Sequence, residues 1–97
     1  LIVDDLCSTG GTLAAAAEVC HAAGASKIYA AFTHGLLVGE AIKKLADAPI
    51  EKIYMSNTVP LLEDQKHPKF ETISVAGLFG EAVRCVISAD SISSIFN

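Results

Sequence analysis

The feature that most constrains the fold of this chain is an alternation of short apolar runs with helix-like segments. Leu1–Val3 is wholly apolar, as in a strand that is covered on both faces, and Lys27–Thr33 and Lys52–Ser56 predict two more strands. Phe70–Val75 predicts a fourth, shorter strand. Because helices between strands act as right-handed crossovers, this order predicts an α/β, Rossmann-like fold with a mostly parallel sheet.

Three segments between and after these runs predict helices. Residues 12–23 contain four consecutive alanines, and their apolar residues recur at the helical period. Gly24 follows at the position of a left-handed C-terminal cap. Residues 38–46 predict a second helix, whereas the polar residues 61–69 predict a loop. Residues 77–88 predict a third helix, with an apolar face made of Leu78, Phe79, Ala82, Val83 and Val86.

Charge and composition exclude several classes of protein. Eleven acidic residues against seven Lys and Arg give a net charge of −4, which argues against binding to nucleic acid. A hydrophobic content of 52% argues against disorder. No apolar run approaches the ~20 residues that cross a bilayer, which argues against a membrane protein. The three cysteines form no Cys-x-x-Cys pair, and no signal peptide is visible, so we expect a reducing, cytoplasmic location.

The first residues predict that the chain is part of a larger protein. The sequence starts without Met on an apolar strand, whose neighbours in a sheet must come from another segment. A chain of 97 residues also buries a comparatively small share of its surface. We therefore expect a fragment of a larger protein.

The predicted ligand site lies at the carboxyl ends of the strands, where parallel α/β sheets bind their ligands. Three predicted loops, residues 4–12, 33–35 and 56–58, are at this edge. The first loop contains a string suited to a phosphate: Ser8, Thr9, Gly10, Gly11 and Thr12. The glycines let the backbone approach an anion, the hydroxyls donate hydrogen bonds, and the following helix offers free N–H groups and its positive dipole end.

Two carboxylates, Asp4 and Asp5, stand directly before this loop. They would repel a phosphate unless they face sugar hydroxyls or a divalent cation. Since adjacent strand residues point to opposite faces, only one is expected to contact a given ligand directly. The combination predicts a phosphorylated sugar with Mg²⁺, a cation that prefers a few carboxylates together with water and substrate oxygens. The alternative is that the acids cap the loop backbone and the glycines only make a turn.

Other patterns and residues around this edge are less informative. The loop contains no Lys or Arg, which excludes the Gly-Lys-Ser/Thr ending of a nucleotide-hydrolysing P-loop. The dinucleotide pattern Gly-x-Gly-x-x-Gly is also absent. We interpret His34 as part of a hydrogen-bonded turn, with a substrate or metal contact as the alternative. Asn57 and Thr58 predict a turn that shapes the floor of the site.

The string over residues 3–12 resembles the phosphoribosyl-pyrophosphate-binding loop of the type I phosphoribosyltransferase fold. Further segments are similar in order and spacing to the ribose-phosphate pyrophosphokinases: residues 25–30, 33–35, 56–60, 74–76 and 91–96. The resemblance spans essentially the whole chain. It implies that residues 1–97 are a C-terminal, phosphoribosyltransferase-type domain of a two-domain enzyme, with the N-terminal domain and part of this one missing.

The resemblance also implies a reaction, in which the β,γ-pyrophosphoryl group of ATP moves to the C1 hydroxyl of ribose 5-phosphate with Mg²⁺. Asp4 and Asp5 would face the ribose hydroxyls and the metal, and the 5′-phosphate would be held by Ser8, Thr9, Gly10, Gly11 and Thr12. Many members have Asp where this chain has Ser8, which can donate to a phosphate but cannot act as a carboxylate. The catalytic Lys and Arg would precede Leu1, so we expect this fragment to be inactive alone.

Regulation and assembly are implied by the resemblance as well. Ser91, Ser93 and Phe96 match residues that form a regulatory nucleotide or phosphate site between subunits of a homo-oligomer in much of the family. The alternative is a helical turn that packs Phe96 and its apolar neighbours into the core. Two other functions stay open: a type I phosphoribosyltransferase, against which the Thr-His-Gly turn argues, and a non-catalytic synthetase-associated subunit.

Overall fold

Strands and helices alternate along the chain in the computed structural model, which describes residues 1–89. The elements are β1 (Ile2–Cys7), α1 (Gly11–Ala22), β2 (Tyr29–Gly35), α2 (Ala41–Asp47), β3 (Lys52–Ser56), a 3₁₀ turn (Glu63–Gln65), β4 (Phe70–Ile73) and α3 (Ala76–Ser88). In these 89 residues no helix combines the length and the apolar character needed to cross a membrane.

The four strands form one sheet in the order β1-β2-β3-β4, and each neighbouring pair is parallel. The predicted α/β class with a parallel sheet is therefore confirmed. Because all four strands run in the same direction, their carboxyl ends and the loops that follow them lie along one edge. This edge carries the loop after β1, which is the predicted phosphate loop.

The core lies between the sheet and the helices α1 and α2. Alternate residues of the strands, such as Phe32 and Ile53, are buried together with Leu13 of α1 and Leu45 of α2. Burying one such side chain stabilises a fold by about 1.5–3 kcal/mol. This face of the sheet therefore fixes where β1 and α1 meet, and so positions the loop between them.

The opposite face of the sheet is open, contrary to the prediction that the first strand is covered on both faces. Val3 of β1 is 70% exposed, and Ile73 of β4 is 55% exposed. Helix α3 is amphipathic as predicted, but its apolar residues Phe79 and Val83 are exposed in the described part of the chain. The reason is that α1 and α2 both pack on the other face, and β1 is an edge strand.

Two element boundaries differ from the predicted ones in ways that affect the site. Strand β1 continues to Cys7, so Asp4 and Asp5 lie within the strand rather than beyond its end. Helix α2 begins at Ala41 instead of residue 38, because Gly39, inside the predicted span, has a φ of +61°, which lies outside the right-handed helical region. The predicted cap of α1 is present: Gly24 has a φ of +101°, and the Ala25 N–H donates to the Cys20 carbonyl.

Candidate functional site

A cavity of about 180 Å³ opens at the carboxyl end of β1. Its lining includes all five residues of the predicted phosphate loop, residues 8–12, together with Asp4, Cys7 and Phe32. The structure thus brings six of the seven predicted substrate-binding residues to one cavity. Asp5, the seventh, is not in the lining. This division agrees with the alternation of side chains along a strand, which turns neighbouring residues to opposite faces.

Gly10 shapes the entrance of helix α1. It has a φ of +80°, in the left-handed region, and stands at the N-cap of the helix. No side chain within the described residues caps this end of α1, and the first helical hydrogen bond runs from the Ala14 N–H to the Gly10 carbonyl. The N–H groups of the first turn precede this bond and have no partner within the helix. They and the positive end of the dipole are available to an anion in the cavity.

Gly10 also lets the loop lie directly on helix α2. A Cβ atom at this position would stand 3.2 Å from Leu45 Cγ and 3.5 Å from Ala41 Cα. Any larger residue would have to push the loop away from the helix, which belongs to the packed core. The shape of the phosphate loop is therefore tied to the core through this one close approach.

The two carboxylates within β1 are exposed and differ in their surroundings. Asp4 Oδ1 accepts a hydrogen bond of 2.8 Å from the Asp5 backbone N–H, so part of its capacity is used by the chain itself. This matches the alternative in which an acid caps the backbone, but only for one of the two oxygens. The other oxygen of Asp4 keeps its acceptor capacity at a position that lines the cavity.

Cys7 lines the cavity as a neutral thiol. Its side chain is buried, and this burial raises the pKa of the thiol above its ordinary value. The negative charge of Asp4 raises the pKa further, while the Gly10 backbone N–H acts in the opposite direction. A protonated thiol is a poor nucleophile, so Cys7 serves here as a small apolar residue.

The segment that follows β2, residues 36–38, holds the start of the phosphate loop through backbone hydrogen bonds. The N–H groups of Leu36 and Leu37 donate to the Cys7 carbonyl at 3.0 and 3.3 Å, and the Val38 N–H donates to the Ser8 carbonyl at 2.9 Å. These three bonds fix the start of the phosphate loop to the end of the neighbouring strand. The second predicted loop, residues 33–35, is instead part of β2, and the residues that act on the site through their backbone are 36–38.

The ends of β2, β3 and β4 are joined by polar side chains. His34 Nδ1 and Thr58 Oγ1 share a hydrogen bond of 2.7 Å, so His34 is hydrogen-bonded as predicted, but it lies in strand β2 rather than in a turn. Asn57 Oδ1 accepts from the Val75 N–H at 2.9 Å, and so links the end of β3 to the segment after β4. These bonds hold the carboxyl edge of the sheet in place beside the cavity.

The charges around the cavity restrict what it can bind. Its lining contains no Lys, Arg or His, so a phosphate there would be held by backbone N–H and hydroxyl donors alone. In residues 1–89 no group of three or more His, Cys, Asp or Glu could hold a metal ion. Asp4 lies in the lining, and one carboxylate with water and substrate oxygens as the other ligands fits Mg²⁺, whereas Asp5 lies outside the lining. The proposed regulatory residues Ser91, Ser93 and Phe96 lie outside the described residues.

One residue of the site's surroundings could not be found by sequence reasoning. Gln65 lies in the 3₁₀ turn of the polar segment that was predicted as a loop, and its side-chain amide donates to the Leu36 and Leu37 carbonyls. A single Gln among polar residues carries no pattern that distinguishes it. The contact of Gln65 with residues 36 and 37 is visible only in the three-dimensional structure.

Fold and cavity together define a class of protein: an α/β domain with a Gly-rich strand-to-helix turn, a place suited to an anion such as phosphate, next to a carboxylate. A family model described as "Phosphoribosyl synthetase-associated domain" matches residues 1–97. The chain belongs to this family.

Named relatives and a solved structure agree with this assignment. The chain is 43% identical over 96 residues to a ribose-phosphate pyrophosphokinase of Aquifex aeolicus, and 44% identical over 98 residues to ribose-phosphate pyrophosphokinase A of Dictyostelium discoideum. These matches cover 99% and 100% of the chain but only 30% and 31% of the relatives. The crystal structure of phosphoribosylpyrophosphate synthetase from Mycobacterium smegmatis superposes with a TM-score of 0.87 at 33% identity, covering 90% of this chain and 29% of that one. The chain therefore spans about 30% of the length of these relatives.

Proposed function

We propose that this chain is the ribose 5-phosphate-binding part of a ribose-phosphate pyrophosphokinase. The observation that carries the proposal is the single cavity in which Asp4 meets the loop of residues 8–12 at the uncapped start of α1. The identity of the chain to enzymes named ribose-phosphate pyrophosphokinase supports the same function. The reaction would transfer the β,γ-pyrophosphoryl group of ATP to the C1 hydroxyl of ribose 5-phosphate, giving phosphoribosyl pyrophosphate and AMP.

The phosphate end of the substrate is held by neutral donors in this proposal. The backbone N–H groups at the start of α1 and the hydroxyls of Ser8, Thr9 and Thr12 donate to the 5′-phosphate oxygens. Gly10 and Gly11 leave room for this approach, because Gly11 has only Thr9 Oγ1, at 3.8 Å, near the position of a Cβ atom. The positive end of the helix dipole compensates part of the phosphate charge.

The sugar end of the substrate is held by the carboxylates. Asp4 accepts hydrogen bonds from the ribose hydroxyls, and Asp5 acts through water or through a metal ion. When Mg²⁺ is bound at these acids, it supplies positive charge that neutralises phosphate oxygens. Two anchors, at the 5′-phosphate and at the ring hydroxyls, fix the orientation of the C1 hydroxyl, and such positioning is the main contribution a protein makes to phosphoryl transfer.

The remainder of the reaction requires groups that the cavity does not supply. Transfer of a pyrophosphoryl group needs cations to stabilise the moving charge, and the lining contains none. We propose that a longer, two-domain polypeptide contributes them together with the ATP site, and that residues 1–97 are inactive alone. A homo-oligomeric assembly and a cytoplasmic location belong to the same proposal.

The decisive experiment uses the full-length protein with ATP, ribose 5-phosphate and Mg²⁺. We expect AMP and phosphoribosyl pyrophosphate in equal amounts. Ribose without its phosphate serves as the control substrate, and it should not be turned over because it cannot occupy the loop. No release of AMP at saturating substrates would overturn the proposed function.

Asp4→Asn tests the role of the carboxylate in the cavity. Hydrogen bonds to charged groups contribute about 1.5–3 kcal/mol, so the affinity for ribose 5-phosphate should fall by roughly tenfold to a hundredfold. Asp47→Asn, at the exposed end of α2 and outside the lining, is the matched control. Isothermal titration of both variants measures the effect, and an unchanged affinity in Asp4→Asn would refute the assigned role.

A second candidate is a non-catalytic subunit that assembles with a synthetase. The description of the family as synthetase-associated favours it, as does the absence of cations from the cavity lining. The same assay separates the two functions. A non-catalytic subunit would bind ribose 5-phosphate weakly or not at all, and it would release AMP only when a catalytic partner is added.

A further inference from the structure

We propose that Gln65 is a positioning residue for the phosphate loop, although it does not line the cavity. The inference rests on the proposed function, because it names a residue that shapes the same phosphate-binding site. It goes beyond that function by adding a group from a distant part of the sequence. A continuous path of hydrogen bonds joins the 3₁₀ turn to the loop.

The first step of the path is the side-chain amide of Gln65. Its Nε2 donates to the carbonyls of Leu36 and Leu37, at 3.2 and 3.3 Å, and its Oε1 accepts from the Leu62 N–H at 2.9 Å. Only one orientation of the amide satisfies all three partners, because the NH₂ group must face two acceptors and the oxygen must face a donor. The half-buried side chain is therefore held in a single position.

The second step is the segment of Leu36 and Leu37, whose carbonyls accept the hydrogen bonds from Gln65. Leu37 has a φ of +51°, a conformation that is unfavourable for a residue with a branched side chain, and it is buried. A strained backbone persists only where its surroundings fix it. Here the buried side chain fixes Leu37 from within, and Gln65 fixes its carbonyl from the other side.

The third step reaches the phosphate loop. Leu36 and Leu37, whose carbonyls accept from Gln65, donate their N–H groups to the Cys7 carbonyl, and Val38 donates to the Ser8 carbonyl. Cys7 and Ser8 are the residues from which the loop departs. Two hydrogen bonds from one side chain thus stabilise the backbone that in turn stabilises the base of the loop.

Preorganisation gives this arrangement a functional consequence. A loop that binds phosphate through backbone N–H groups binds most tightly when these groups are already directed at the ligand, since ordering them at the moment of binding costs free energy. Without Gln65, the segment 36–38 can relax its strained conformation, and the loop then samples more conformations. The affinity for the phosphorylated sugar should fall, whereas a site elsewhere in the protein, such as that for ATP, should be unaffected.

Gln65→Glu in the full-length protein is the test, with Gln65→Ala as the second variant. The Glu side chain keeps an oxygen for the Leu62 N–H but turns a carboxylate oxygen toward two carbonyls. Lys66→Met is the matched control, because Lys66 adjoins the 3₁₀ turn and pairs with the exposed Glu63 on the surface. Hydrogen exchange of residues 7–13 without ligand and the KM values for ribose 5-phosphate and ATP are the readouts.

We expect both Gln65 variants to exchange the loop amides roughly tenfold faster and to raise the KM for ribose 5-phosphate by about as much, the size expected from losing one or two hydrogen bonds. The KM for ATP and the exchange of β3 should not change. Unchanged loop exchange, a uniform rise across the protein, or an unaltered KM for ribose 5-phosphate would each overturn the proposal. The exchange measurement uses no substrate, so it decides whether Gln65 orders the loop even if the wild-type protein proves not to use ribose 5-phosphate, a result that would overturn the proposed function instead.

Discussion

At the scale of single residues, Gly10 carries two independent constraints. Its φ of +80° favours a residue without a side chain, and a Cβ atom would approach Leu45 Cγ to 3.2 Å. Gly39 shares only the first constraint, since it has a φ of +61° but no atom within 4 Å of a Cβ position. The pair therefore separates the conformational cost of a side chain from its packing cost.

Gly10→Ala should destabilise the protein more than Gly39→Ala does. The left-handed conformation costs a residue with a side chain roughly 1–2 kcal/mol, so both variants should lose this amount of folding free energy. Crowding against α2 adds about 1–3 kcal/mol in Gly10→Ala alone. Urea denaturation of the two variants measures the difference in the free energy of unfolding. Equal losses would mean that the loop can move away from α2 without cost.

Sequence reasoning predicts residues of this kind only where chemistry and position coincide. The loop of residues 8–12 and Asp4 could be placed at one site because the glycines, the hydroxyls and the acids are contiguous. The close contact of Gly10 with Leu45 and the grip of Gln65 on residues 36–37 could not, because each joins parts of the chain that are more than 25 residues apart. Nothing local in the sequence records such a contact.

At the scale of secondary-structure elements, the side chain of Lys69, which directly precedes β4, caps the C-terminal end of helix α2. Lys69 Nζ donates to the carbonyls of Ala46 and Ala48 at 2.7 and 2.9 Å, and to that of Leu45 at 3.4 Å. These carbonyls are at the C-terminal end of the helix, where intrahelical partners are lacking and positive charge is favourable. Lys69 thus holds the short helix on which the phosphate loop rests.

Lys69→Met should lower the free energy of unfolding by about 1.5–3 kcal/mol, the usual contribution of hydrogen bonds to a charged group. Lys66→Met is the control in the same segment, and it should cost clearly less, because exposed ion pairs contribute little. Chemical denaturation of both variants gives the comparison. A cost for Lys69→Met no greater than that of the control would show that water replaces the cap.

The helices and strands themselves could be predicted because the hydrophobic periodicity and the positions of glycine at element ends agree along the chain. The start of α2 could not, because the left-handed φ of Gly39, which delays the helix to Ala41, is not marked by any pattern in the sequence. The exposure of β1 could not be predicted either. The apolar sequence at the start of β1 predicts that the strand is buried, but it does not show which segment covers it.

At the scale of the whole molecule, the described structure is less closed than a complete domain. Its radius of gyration is 15.8 Å, whereas about 13 Å is expected for a compact domain of this length. The structure is elongated, with extents of 50 × 30 × 19 Å, and one face of its sheet is open. A groove of about 370 Å³ is lined there mostly by apolar residues and includes Leu78 of α3, with Asp4, Thr33 and Ser56 as its more polar members. Further apolar side chains of α3, such as Phe79 and Val83, are exposed as well. An apolar surface of this kind drives association.

A protein consisting of residues 1–97 alone should therefore self-associate as its concentration rises and should bind a hydrophobic dye. Val83→Glu, on the exposed apolar face of α3, should weaken both effects, because it places a charge in that surface. Val19→Glu is the matched control, since Val19 is a similarly exposed valine on α1 that packs on the closed face of the sheet. Sedimentation velocity and dye fluorescence measure the outcome, and circular dichroism verifies that each variant is folded. A monomeric wild-type chain without dye binding, or equal effects of the two substitutions, would mean that this face is not the adhesive surface.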